Sequence, residues 1–90
     1  MKIIDVFLKA LENVMGNHRG FYVPQYTVTP TKVPAIKEFL LQVWCVDGEY
    51  KTLLSTVKRV EHCTEKWEMD VLEERVQRES IENILKYYGL

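Results

Sequence analysis

FLLQVWCVDGEYKTLL, residues 39 to 54, decides how the rest of this 90-residue chain is read. Asp47-Gly48 is a strong signal for a tight hairpin turn between two extended arms. A half-buried strand alternates apolar and polar residues, yet the left arm is apolar at nearly every position. With Asp47 and Gly48 as a two-residue loop, Val46 faces Glu49, Trp44 faces Lys51, Leu41 faces Leu54 and Leu40 faces Ser55. One side of the ribbon then carries Phe39, Leu41, Val43, Cys45, Tyr50, Thr52 and Leu54, which is the expected core. The other carries Leu40, Gln42, Trp44, Val46, Lys51, Leu53 and Val57, apolar but broken by polar groups in the manner of an interface patch. A two-helix layer does not cover both sides, so the second is the candidate site. Trp44, Leu40, Leu53, Val57 and Lys51 are the residues expected to meet a partner, either a second copy in a homodimer or another protein. Two plainer readings compete: Trp44 lies under the Lys51 stem, or the C-terminal segment folds over the second side.

Outward from the hairpin, the N-terminal segment projects as an amphipathic helix over residues 2 to 15. Ile3, Phe7, Ala10, Leu11 and Val14 share one side, flanked by Ile4, Leu8 and Met15, with Lys2, Asp5, Lys9, Glu12 and Asn13 opposite. Gly16 and Asn17 supply its stop. FYVPQYTVT, residues 21 to 29, is rich in aromatic and β-branched residues and reads as a strand. Pro24 cannot donate to a ladder, which puts that strand at a sheet edge or gives it a bulge. Ile36, Phe39, Leu40 and Val43 also fit a helical template, but the segment runs into Val-Trp-Cys-Val and the turn, so strand is preferred.

Residues 65 to 71 alternate, Trp67, Met69 and Val71 against Lys66, Glu68 and Asp70, and this period of two favours a fourth strand. The competing reading is a helix from about Thr64 or Asp70 to Arg78, with a capping box in Asp70 and Glu73. Ser80 is expected to cap a last helix bearing Ile81, Ile84, Leu85 and Tyr88, with Gly89 just past its end. The result is a single α+β domain over 1–90: an antiparallel meander of three or four strands, with an N-terminal and a C-terminal helix packed on one face (α-β-β-β-(β)-α).

Composition agrees with a globular domain, at 47% hydrophobic and 28% charged residues. The N-terminal segment is interrupted by charges and reads as neither signal peptide nor membrane span, so a cytoplasmic protein is expected. Two cysteines, Cys45 and Cys63, are too few for a disulfide framework and are expected to be thiols. Net charge is −1 but unevenly spread. Residues 61 to 82 hold eight Asp/Glu against Lys66, Arg75 and Arg78, a solvated face that can also attract a basic surface.

Chemistry is scarce. His62 and Cys63 are neighbours, and neighbours on a strand point to opposite faces, so they make no nucleophile and base. His18, Cys45, His62 and Cys63 lack metal-ligand spacing, and no phosphate loop or nucleophile motif occurs. No enzyme, metal or cofactor is expected. The leading reading is a small non-enzymatic binding or regulatory protein acting through protein contacts, using the Trp44 face or the acidic segment. In size and lack of motif the chain is similar to the small accessory proteins of bacteriophages and other mobile elements, many of which bind a host protein. The alternative is a weak single-stranded nucleic-acid binder, with Tyr22, Tyr26 and Trp44 stacking bases among Arg19, Lys32, Lys37, Lys51, Lys58 and Arg59. A pI near 6.1 weighs against a concentrated basic face.

Overall fold

A computed structural model describes residues 2–16 and 20–90 of the chain. Asn17 of the expected helix stop, the metal candidate His18 and the cationic Arg19 lie outside the described residues. The order is α1(Ile3–Met15), β1(Phe21–Pro30), β2(Ile36–Asp47), β3(Tyr50–His62) and α2(Lys66–Tyr87). The strands form one antiparallel sheet in the order β1-β2-β3, which is the three-stranded form of the expected α+β meander. Pro24 sits on the edge strand β1, where a residue without an N–H is tolerated.

Both helices lie on one face. Ile4, Leu8 and Leu11 of α1 and Leu72, Val76 and Ile84 of α2 close over Phe39, Leu41, Val43 and Val57 in a single core. The α1 stripe is turned slightly from the projected one: Phe7 is only partly buried, and Val14 points to solvent. The turn brings Ile4 against α2, where the buried Gln77 side-chain oxygen accepts from the Ile4 N–H at 3.1 Å. That bond satisfies one of the first-turn donors that a helix cannot bond internally.

The alternation at residues 65 to 71 does not make a fourth strand. The segment opens the 22-residue helix α2, which starts where the Glu68 carboxylate accepts from the Glu65 N–H at 3.1 Å, before the Asp70–Glu73 box. Trp67 and Val71 are one turn apart on its solvent side, Trp67 66% exposed, and only Met69 of the three alternating apolar residues packs against the core. Ser80 is no cap either. It is wholly buried within α2, and its hydroxyl bonds the Ser55 hydroxyl at 3.2 Å, a join between helix and sheet. The C-terminal stop does fall at Gly89, whose φ is 70°. Leu90 N–H bonds Leu85 O, and Gly89 N–H bonds Lys86 O, closing the last carbonyls.

Candidate functional site

The hairpin turn is Gly48-Glu49, with Asp47 opposite Tyr50 and Gly48 at φ 60°. Trp44 therefore meets Leu53 rather than Lys51, a shift of two residues, and a shift of two preserves the faces. Between Val43 and Trp44 the register shifts once more: Trp44 pairs with Leu53 but Val43 with Ser55. Leu54 is the extra residue of a β-bulge, and past it every β3 side chain changes face. Val57, expected on the partner side, consequently pairs with Leu41 and is core, only 2% exposed. Leu40, Trp44, Leu53 and Lys51 remain on the face away from the helices.

That outer face is completed by β1. Phe21 stands opposite Val46, and Val23 opposite Trp44. Row by row from the hairpin end, the face reads Phe21-Val46-Lys51, Val23-Trp44-Leu53, Gln25-Gln42-Thr56 and Thr27-Leu40-Lys58. The first two rows form an apolar block, with Phe21 56% and Leu53 40% exposed. The third is an amide and hydroxyl belt. Beyond it, Glu38 and Lys58 pair at 3.4 Å. A hollow of about 150 Å³ opens beside the indole, lined by Val23, Gln25, Trp44, Val46 and Lys51. The Trp44 Nε1 donor is itself buried without an acceptor. Gly20, entering β1 at φ 93°, lets the chain pass so close that a Cβ there would overlap the Val46 carbonyl.

Phe21 and Val23 escaped the sequence reading because FYVPQYTVT was treated as one aromatic strand. Its parity separates them from Tyr22 and Tyr26, and that alternation was the available signal.

Tyr22 and Tyr26 lie on the helix face. Tyr22 is buried with its hydroxyl 3.1 Å from that of Tyr88, and the Tyr26 hydroxyl is buried beneath Lys2, whose ammonium is 4.8 Å from the ring centroid. Burial pushes the Tyr26 phenol well above its ordinary range, helped by the Glu73 charge. Burial first, then the bond to Tyr22, does the same for Tyr88. Of the cations named for phosphates, Arg59 is bound to Glu79, Lys58 to Glu38, and Lys37 donates to Pro34 O at 2.6 Å. Tyr22 and Tyr26 are thus turned away from the outer face, where Trp44 stands with Lys51 and Lys58.

His62 is exposed at the end of β3 with Nδ1 3.8 Å from Glu68 of α2, while Cys63 is buried and donates its backbone N–H to Ala35 O, so the pair is split. Burial raises both the Cys63 and Cys45 thiols, the opposite of what activates a nucleophile. Among the described residues no group of three His, Cys, Asp or Glu gathers as a metal set. No described helix is long and apolar enough to cross a membrane.

No protein family, curated protein or solved structure matches this chain. Further hollows occur among the described residues: one of about 350 Å³ has a largely charged lining of Lys2, Asp70, Glu73 and Glu74 with Ile3 and Gln77, and two have apolar walls. One of about 200 Å³ lies between α1, α2 and β1, walled by Ile4, Pro24, Tyr26 and Leu41, but its polar rim is engaged internally: Lys2 pairs with Glu73 at 2.5 Å and Gln77 with Ile4. The other, about 180 Å³, lies under Trp67 and Val71 beside the Arg75–Glu61 pair. Neither has the extent of the outer face.

Proposed function

We propose that the chain is a small non-enzymatic binding protein that acts through protein–protein contacts made by the outer face of its sheet. The observation that carries this reading is the apolar block of Phe21, Val23, Trp44, Val46 and Leu53 on a face that neither helix covers. Monomers rarely leave such blocks to water unless they are used, and aromatic anchors ringed by polar groups are where binding energy concentrates. The proposed setting is the cytoplasm, where thiols stay reduced. Binding a host protein, as small phage and mobile-element accessory proteins do, suits a chain of this kind.

The test is retention of a protein partner by immobilised wild type, Trp44→Ala and Glu82→Ala, the last on the exposed acidic side of α2. The reading requires loss with Trp44→Ala and retention with Glu82→Ala, both variants keeping their circular dichroism. The reverse pattern moves the site to the acidic helix. Single-stranded RNA is expected to bind weakly at about 150 mM salt, since few phosphates can be neutralised. Tight, steeply salt-dependent binding would restore the nucleic-acid reading.

A further inference from the structure

The structure points to a second copy of this chain as the occupant of the outer face, an inference that rests on the protein-contact reading above and names its partner. Two sheets packed face to face sit about 10 Å apart with strands nearly aligned. A two-fold axis parallel to β2 and midway between the sheets lays β1 of one copy over β3 of the other. Trp44 then meets Trp44 of the second copy, and Leu53 of the second copy lies over Val23, at the mouth of the hollow lined by Val23, Trp44 and Val46. That hollow is about 150 Å³, and a cavity of about this size is large enough for a benzene ring, so it can take one branched side chain. Phe21 falls over Lys51 of the second copy, a ring beneath an ammonium.

The polar rows are as self-complementary as the apolar ones. Gln42 meets Gln42, and Gln25 meets Thr56; amides and hydroxyls both donate and accept, so like can bond like. Glu38 brings its own counterion, Lys58. This near-neutral face gives a polyanion little to hold and suits its own copy. Three strands about 4.8 Å apart and about ten residues long offer roughly 500 Å² per copy, or roughly 1,000 Å² in a pair, the lower end of specific interfaces. A dimer on so small an interface is reversible.

Sedimentation equilibrium over a concentration series tests this on wild type, Leu53→Glu and Phe21→Lys, the latter setting a second ammonium against Lys51 of the other copy. Wild type should rise from 10.7 kDa toward twice that mass, and each variant, folded by circular dichroism, should dissociate at least about tenfold more readily, Leu53→Glu because it desolvates two carboxylates per dimer and Phe21→Lys because it opposes like charges twice per dimer. Two variants guard against one failing to fold. A wild type monomeric at every concentration overturns the second copy, while leaving the face to a different protein, which the Trp44→Ala retention experiment still reads. A dimer that neither variant weakens overturns this inference and counts against the face as the contact surface.

Discussion

Leu41 and Leu40 are adjacent in sequence and belong to opposite worlds. The helix face of the sheet is closed: Phe39, Leu41 and Val43 lie under α1 and α2 and contact only protein. The outer face, built from the residues between them and their neighbours on β1 and β3, carries a second set of apolar side chains that neither helix covers. The difference lies in coverage rather than composition. Two helices can lie over one side of three strands, and no other described element lies over the second side. The closed face also buries polar groups that it has to satisfy, as Ser55, Ser80 and Gln77 do, whereas the outer face keeps its amides at the surface, where water or a partner can serve them.

The sharpest way to break this comparison is to truncate the two neighbours. Leu41→Ala should cost about 2–5 kcal/mol in urea unfolding, a large part of the stability of so small a domain, whereas Leu40→Ala should cost under about 1 kcal/mol. Equal losses would mean that the faces do not differ in kind. Next, Val57→Ala should cost about 2 kcal/mol, from two buried carbons and the cavity they leave, against under about 1 kcal/mol for Leu53→Ala. A harmless Val57→Ala would remove the bulge at Leu54 from the account.

Smaller again is the Ser55–Ser80 join. Ser55→Ala strands the Ser80 hydroxyl and removes the acceptor of Asn83, which donates at 3.2 Å, for a loss of about 1–3 kcal/mol. Ser55→Ala with Ser80→Ala should recover part of it, and strict additivity would show that the two hydroxyls do not act together.

Titration sharpens the contrast last. Tyr26 and Tyr88 are held above the ordinary tyrosine range mainly by burial in the closed face. Their neutral forms favour the fold below about pH 10, the unfolded value, and that contribution is lost as pH rises above it toward the folded values. Absorbance titration should show Tyr26 and Tyr88 ionising late, together with unfolding. Ionisation of both near the ordinary tyrosine value would place them in water. At the acid end, the Glu68 carboxylate is lowered chiefly by the Glu65 N–H. Its contribution is present above its unfolded value near pH 4 and fades as pH falls through the folded one, and Glu68→Gln should remove that slope.

The pattern of apolar residues carried most of this architecture. The antiparallel hairpin, the edge strand with Pro24, α1 and the core of Phe39, Leu41 and Val43 follow from periodicity and turn residues, whereas the same periodicity asks for a fourth strand at 65 to 71 where the chain makes helix. What periodicity could not carry is a residue that breaks it. One extra residue at Leu54 moves Val57 from the outer face to the core, and nothing in STV or LLS marks the bulge. α2 was obscured for another reason: its sheet side uses Ser80 and Gln77 among apolar residues, and its solvent side bears Trp67 and Val71, so its stripe is faint in sequence. The outer-face site was half legible. Trp44, Leu40, Leu53 and Lys51 came from the hairpin alone, while Phe21 and Val23 required the pairing of β1 with β2.

The central claim is that one face folds the chain and the other is kept for contact. Thermal unfolding of Leu53→Glu beside wild type, at a concentration where both are monomers, tests it most directly. The account predicts melting midpoints within about 5 °C of each other, the effect of under about 1 kcal/mol in a domain of this size. A drop of about 15 °C or more would show that the outer face is part of what holds the monomer together, and would contradict the division of the sheet into a folding face and a binding face.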